Sequence, residues 1–126
     1  MAKFDQSGEI VWTKAFGGHG VVHGHKIIKI PNGYLYGGQS DGVGYGSFDK
    51  FIMTLDSDAN LVSYRTFGSA GVDLIIDLAQ ASDGGYLLTG NSDSTPGDGY
   101  DNMQDFYKLD RNLEFCGIPD SMLIEI

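Results

Sequence analysis

Three histidines fall within seven residues, His19, His23 and His25, and imidazole nitrogens are common ligands for zinc and other transition metals. His23 and His25 are two apart, a spacing that on an extended strand sends both side chains to one face. They are the candidate metal ligands. A second cluster runs from Asp93 to Asp105, with Asp93, Asp98, Asp101 and Asp105 supplying carboxylates, amide side chains among them and Tyr100 a hydroxyl on an aromatic ring. Such oxygens beside a ring suit calcium or a sugar. The earlier stretch from Asp41 to Ser47 carries Tyr45 in a similar setting. Asp41, Tyr45, Asp93, Asp98, Tyr100 and Asp101 are therefore the candidate ligand-binding residues. Asp56-x-Asp58-x-Asn60 begins like a calcium loop, but Leu61 stands where the sharp turn needs Gly and Phe67 where a bidentate Glu belongs. It is expected to be a hairpin turn.

Nucleophilic chemistry finds little support. There is no Gly-x-Ser-x-Gly elbow, and Cys116, the one cysteine, has no histidine in its half of the chain. Cys116 is expected to be buried and inert, and alone it forms no intrachain disulfide. Gly17-Gly18-His19-Gly20 and Tyr34-Leu35-Tyr36-Gly37-Gly38 lack the Lys-Ser/Thr of a phosphate loop. The Asp-rich loops hold enough carboxylates for glycoside hydrolysis, yet nothing selects a pair. The expectation is a non-enzyme without an obligatory cofactor, calcium or zinc being the ions its loops and histidines could take; a metal-dependent hydrolase is the rival.

Charge sharpens the exclusions. The net charge is -9, and it is uneven: residues 1–65 hold six basic and six acidic side chains, residues 66–126 two basic and eleven acidic. A surface of that sign repels phosphate backbones and anionic lipid, so neither nucleic acid nor a membrane surface is the expected partner. No apolar run reaches membrane-spanning length, and the first residues lack the apolar stretch of a secretion signal. This fits a cytoplasmic protein, or a piece of an exported one.

The elements that must carry these loops are strands. Fourteen of the 17 acids are Asp and three are Glu, a skew belonging to turns, because Asp hydrogen-bonds its own backbone and disfavours helix interiors. Nineteen glycines punctuate a chain of 126 residues. An internal repeat orders them. Residues 4–41 align with 55–93, Gly84 unpaired, giving twelve identities in 38 pairs, including Phe16/Phe67, Gly38/Gly90 and Asp41/Asp93. A fainter third echo starts at Leu109-Asp110. Each unit reads as four strands: 21–30, 34–39, 48–55 and 61–67, then 72–81, 86–91, 105–109 and 113–116. Pro31-Asn32-Gly33 and Ser82-Asp83-Gly84-Gly85 are the first hairpin turns, where Gly and Asn or Asp supply positive φ. Residues 72–81 also admit a helical reading.

Four strands in about 50 residues is the size of a propeller blade. The segments Val11-Trp12-Thr13-Lys14-Ala15-Phe16-Gly17-Gly18, Ser82-Asp83-Gly84-Gly85-Tyr86 and Asp105-Phe106-Tyr107-Lys108-Leu109-Asp110 resemble the tandem β-propeller repeats, kelch-like in size, of bacterial surface and secreted proteins. The chain departs from them at Ser63, which matches Trp12, and at Phe51 and Phe106, near where a Trp is common. The resemblance implies a scaffold and carries no reaction with it. The expected fold is all-β, a single domain with an orphan strand at 9–16, unit one at 21–67, unit two at 72–117 and a tail at 118–126. Two blades leave apolar faces bare, so completion to a ring by homo-oligomerisation, favouring a trimer, is the leading expectation; a monomeric sandwich and a piece of a longer propeller are the alternatives. The function that follows is a non-catalytic binding or interaction module, with carbohydrate or protein as its ligand.

Overall fold

The computed structural model describes residues 1–17, 20–41, 48–68, 71–93, 102–116 and 123–124; at 93, 102–103 and 123–124 the description is of the backbone. Every regular element among them is a strand: β1 (Ala2–Phe4), β2 (Ile10–Thr13), β3 (Val22–Ile30), β4 (Gly33–Ser40), β5 (Asp49–Asp56), β6 (Leu61–Phe67), β7 (Asp73–Gln80), β8 (Tyr86–Asp93), β9 (Asn102–Leu109) and β10 (Leu123–Ile124). Among the described residues no helix is long and apolar enough to cross a membrane. Within residues 72–81, Asp73–Gln80 form a strand, not the helix their composition also permits.

The turns explain why the strands end where they do. Asp5, Asp56 and Asp110 open three copies of one turn. In each, the carboxylate Oδ1 accepts the backbone N–H groups two and four residues on, at 2.8–3.0 Å, and the residue three on returns an N–H to the Asp carbonyl at 3.0–3.1 Å. That returning residue takes positive φ in every copy: Gly8 at 87°, Ala59 at 63° and Leu113 at 65°. A type I turn followed by one left-handed residue is a favoured hairpin connection, and the Asp side chain replaces the donors' lost water. Asp56-x-Asp58-x-Asn60 is thus a turn, as its departures from a calcium loop imply. In the shorter Pro31-Asn32 turn the positive φ sits on Gly33, at 151°, and not on Asn32.

β3-β4-β5-β6 and β7-β8-β9-β10 each form an antiparallel four-stranded sheet in sequence order, and β1-β2 is a separate two-stranded hairpin. The two sheets share their irregularities. β3 carries a bulge between Gly24 and Lys26, β7 one between Ile75 and Asp77, at corresponding places in the repeat. Both bulges push a carbonyl against a glycine of the next strand: a Cβ on Gly38 would lie 1.9 Å from the His23 oxygen, and one on Gly90 2.0 Å from that of Leu74. The recurrence of glycine at 38 and 90 in the two repeats is therefore a packing requirement.

Each sheet has a leading face, toward the preceding unit, and a trailing face. The trailing face of the first sheet packs on the leading face of the second, burying Leu35, Ile52, Ile75, Leu88, Tyr107 and Leu109. The leading face of the first sheet buries Phe51, Met53 and Leu55 under Trp12 and Phe16. β5 is consequently buried on both faces along nearly its whole length. The structure is all-β in three antiparallel sheets, and no sheet closes on itself among the described residues.

Three expectations need correction. The strand read as an orphan at 9–16 is shorter, Ile10–Thr13, and has a partner in β1, because the first Asp turn folds the chain back on itself. The fourth strand of unit two does not run along 113–116: those residues make one bridge, Phe115 with Leu109, and the regular edge pairing of β9 comes from Leu123–Ile124, in the segment read as a tail. Cys116 is exposed, since the bridge at this edge is too short to cover it.

Candidate functional site

The two Asp-rich loops spring from equivalent positions. Asp41 follows β4, and Asp93 is the last residue of β8, paired with Asn102. Asp41 is exposed, but its carboxylate is engaged in holding the fold. It accepts the Val21 N–H, while the Asp41 N–H donates to the Val21 carbonyl at 3.2 Å. That pair clamps the mouth of the β3–β4 hairpin. Tyr45, Asp98, Tyr100 and Asp101 lie outside the described residues, as does the side chain of Asp93.

His23 and His25 lie on β3, and both are exposed. His25 is the extra residue of the bulge, so the strand's alternation breaks there and a spacing of two no longer fixes a common face. His23 sits beside Phe48, ring centroids 6.2 Å apart. Among the described residues no three His, Cys, Asp or Glu side chains group as a metal site. His19 lies outside them.

The chemistry that sequence reasoning missed is buried between the sheets. Lys50, on the trailing face of β5, is 0% exposed and meets Asp105 and Asp73 of the second sheet, both also 0% exposed. Its Nζ lies 2.7 Å from Asp105 Oδ2 and 3.5 Å from Asp73 Oδ1, donates to Ser92 Oγ at 2.7 Å and to the Asn91 carbonyl at 3.1 Å, and stands 5.6 Å from the Tyr107 ring centroid. Ser92 Oγ in turn donates to Asp105 Oδ2 at 2.6 Å, as does the Tyr107 hydroxyl at 3.3 Å. Burying one ammonium is tolerable only with opposite charge and hydrogen bonds at its donors, and here they are supplied. Gly68 approaches the same cluster: a Cβ there would lie 2.5 Å from Asp49 Oδ1 and 2.8 Å from Asp73 Oδ2.

The register shows why Asp105 is there. It pairs with Gly90 as Phe51 pairs with Gly38, so Asp105 occupies the place of the aromatic Phe51. Phe106 pairs with Thr89 and faces the other way, 44% exposed. The second sheet has thus exchanged an aromatic on its leading face for a carboxylate matched to Lys50. The sequence signal is a lone lysine in the run Asp49-Lys50-Phe51-Ile52-Met53.

Other ion pairs between the sheets have the same polarity. Lys26 meets Asp77 at 3.3 Å and Arg65 meets Glu114 at 3.8 Å, the cation in each case on the first sheet's side and the acid on the second's. Arg65 also donates to the Leu113 carbonyl and lies 4.9 Å over the Phe115 ring. One repeat earlier, Lys14 of the hairpin segment donates to Asn60 Oδ1 at 3.4 Å; Lys14 and Asn60 hold the positions that Arg65 and Glu114 hold in the next unit. The N-terminal hairpin therefore stacks on the first sheet as the first sheet stacks on the second. A cleft of about 250 Å³ lined by Ile52, Ser63, Arg65 and Glu114 marks the second junction, and one of about 350 Å³ lined by Phe4, Trp12, Ile27 and Tyr34 marks the first.

Stacking in one direction leaves two ends. The trailing face of the second sheet presents Leu87 at 43% and Phe106 at 44% exposure, and the leading side of the hairpin presents Phe4 at 57% and Ile10 at 61%. No protein-family model matches this chain, and no curated protein matches it.

Proposed function

We propose that the chain is a non-catalytic binding or interaction module made of propeller-type repeats, completed by association with further copies of itself and meeting ligands through the loops that follow the second strand of each unit. The observation that carries this reading is the repeated stacking: hairpin on first sheet, first sheet on second, with corresponding side chains at both junctions and an apolar face left at each end. The Lys50 cluster sealed in the interior joins the two sheets and is closed to substrate, which favours a scaffold over a catalyst.

A lectin-like or calcium-binding role is the second reading, favoured by the equivalent positions of Asp41 after β4 and Asp93 at the end of β8, each followed in sequence by a tyrosine, Tyr45 and Tyr100. A glycan array read with and without added calcium tests it. Binding is expected to fall on Tyr45→Ala and on Tyr100→Ala, and to fall further when both are changed, with bound oligosaccharides recovered intact by mass spectrometry. Recovery of cleaved oligosaccharide would contradict the non-catalytic reading; binding unaltered by either substitution would remove the loops from the site.

A further inference from the structure

We infer that the apolar trailing face of the second sheet, centred on Leu87 and Phe106, is covered by the leading side of the N-terminal hairpin of a second copy, centred on Phe4 and Ile10, in a head-to-tail contact. This rests on the self-association reading above and names the surfaces that carry it. The register places Leu87 beside Ala79 and Lys108, and Phe106 beside Thr89, on one face of the second sheet. The corresponding face of the first sheet, bearing Leu35, Ile52 and Lys50, is the one covered by the next unit. Phe4 and Ile10 are paired with each other in the hairpin and occupy the places that Leu55 and Leu61 hold on the leading face of the first sheet, the face that receives a preceding unit. The chain thus contains two examples of a trailing face seated on a leading face, and among the described residues one apolar face of each kind is exposed, at Leu87 and Phe106 and at Phe4 and Ile10.

Charge selects this pairing over like-on-like association. The whole net charge of -9 belongs to residues 66–126, while residues 1–65 are balanced. Two second sheets meeting through their trailing faces would bring two such halves together; a second sheet meeting a hairpin brings one against a neutral half. A contact between unlike faces either closes into a ring or continues into a chain of copies.

Complementation between two variants of the full chain tests this. Leu87→Asp with Phe106→Asp disables the trailing face, and Phe4→Asp with Ile10→Asp disables the hairpin face; all four positions are exposed, and because Phe4 also borders the cleft between the hairpin and the first sheet, Ile10→Asp alone is made as a second hairpin-face variant and the fold of each is checked by circular dichroism and thermal unfolding. The wild-type chain is expected to self-associate. Each variant alone is expected to be monomeric, its self-association weakened at least about tenfold, equivalent to roughly 1.4 kcal/mol. An equimolar mixture is expected to form a species of two chains and nothing larger, because each variant keeps the face the other lacks. Native mass spectrometry with one variant isotopically labelled reads the composition directly. A mixture that stays monomeric, or a hairpin variant that still associates with itself, overturns the proposal. Ligand binding measured on the monomeric variants is read separately, so loss of association leaves the loop-ligand reading to stand or fall by Tyr45 and Tyr100.

Discussion

Lys50 is the residue on which the junction between the sheets turns. Its ammonium reaches across from the first sheet to two carboxylates of the second, Asp73 and Asp105, that are sealed from solvent. Lys50→Met takes that charge from both, and removing one partner of a buried pair costs about 3–5 kcal/mol. Urea unfolding is expected to show that loss as a lower midpoint with an unchanged slope. Acid acts at the opposite extreme of burial, on the turns. Asp5, Asp56 and Asp83 are held below the ordinary 3.8, by the Ser7 hydroxyl, the Asn60 backbone N–H and the Lys108 ammonium respectively as leading causes. A carboxylate depressed in the fold adds stability that is complete above its unfolded value and is lost as pH falls below about 3.8 toward the folded one. Midpoints measured from pH 6 downward should therefore drop most steeply under about pH 4, and Asp56→Ala should flatten that fall; an equally steep fall in the variant would deny Asp56 this part. Cys116, exposed at the second sheet's edge, is expected to react with a thiol reagent in the folded protein as fast as in urea, and marked protection in the folded state would contradict the edge described here.

At the level of strands, the repeat makes most of the architecture legible. Asp5, Asp56 and Asp110 recur in sequence because one turn geometry recurs, and the matching glycines at 38 and 90 recur because a bulge presses a carbonyl on each. Gly38→Ala and Gly90→Ala should each cost about 1–3 kcal/mol or more, the usual penalty for forcing atoms into filled space, whereas Gly17→Ala, with nothing within 4 Å of the added carbon, should be near neutral. Equal effects at all three positions in thermal unfolding would break the link to the bulges. What the sequence hides has local causes. The bulge at His25 undoes the two-residue alternation on which a shared histidine face depends, and no feature of Val22–Ile30 announces it before the structure is seen. The edge of the second sheet is deceptive because Leu113–Cys116 has the composition of a strand, yet only Phe115 bridges to β9. Lys50 does not stand out because a lysine in a strand usually marks a solvent face; its burial depends on the second sheet, where Asp105 replaces an aromatic.

Across the whole molecule, the division of charge acquires a structural meaning beyond solubility. The stretch from Thr66 to Tyr107 contains seven Asp and no Lys, Arg, His or Glu, and Asp73, Asp77 and Asp105 within it find cations in Lys50 and Lys26 of the first half. Within the chain the units are thus joined in order, trailing face to leading face. Whether the exposed faces are junctions of the same kind as those inside the chain is read from the solution mass of the intact protein, measured by light scattering behind size exclusion at a low and a high concentration. The expected mass exceeds the 13.6 kDa of one chain and either rises with concentration or holds at a small whole multiple. A mass of one chain at both concentrations, with cooperative unfolding, would contradict it.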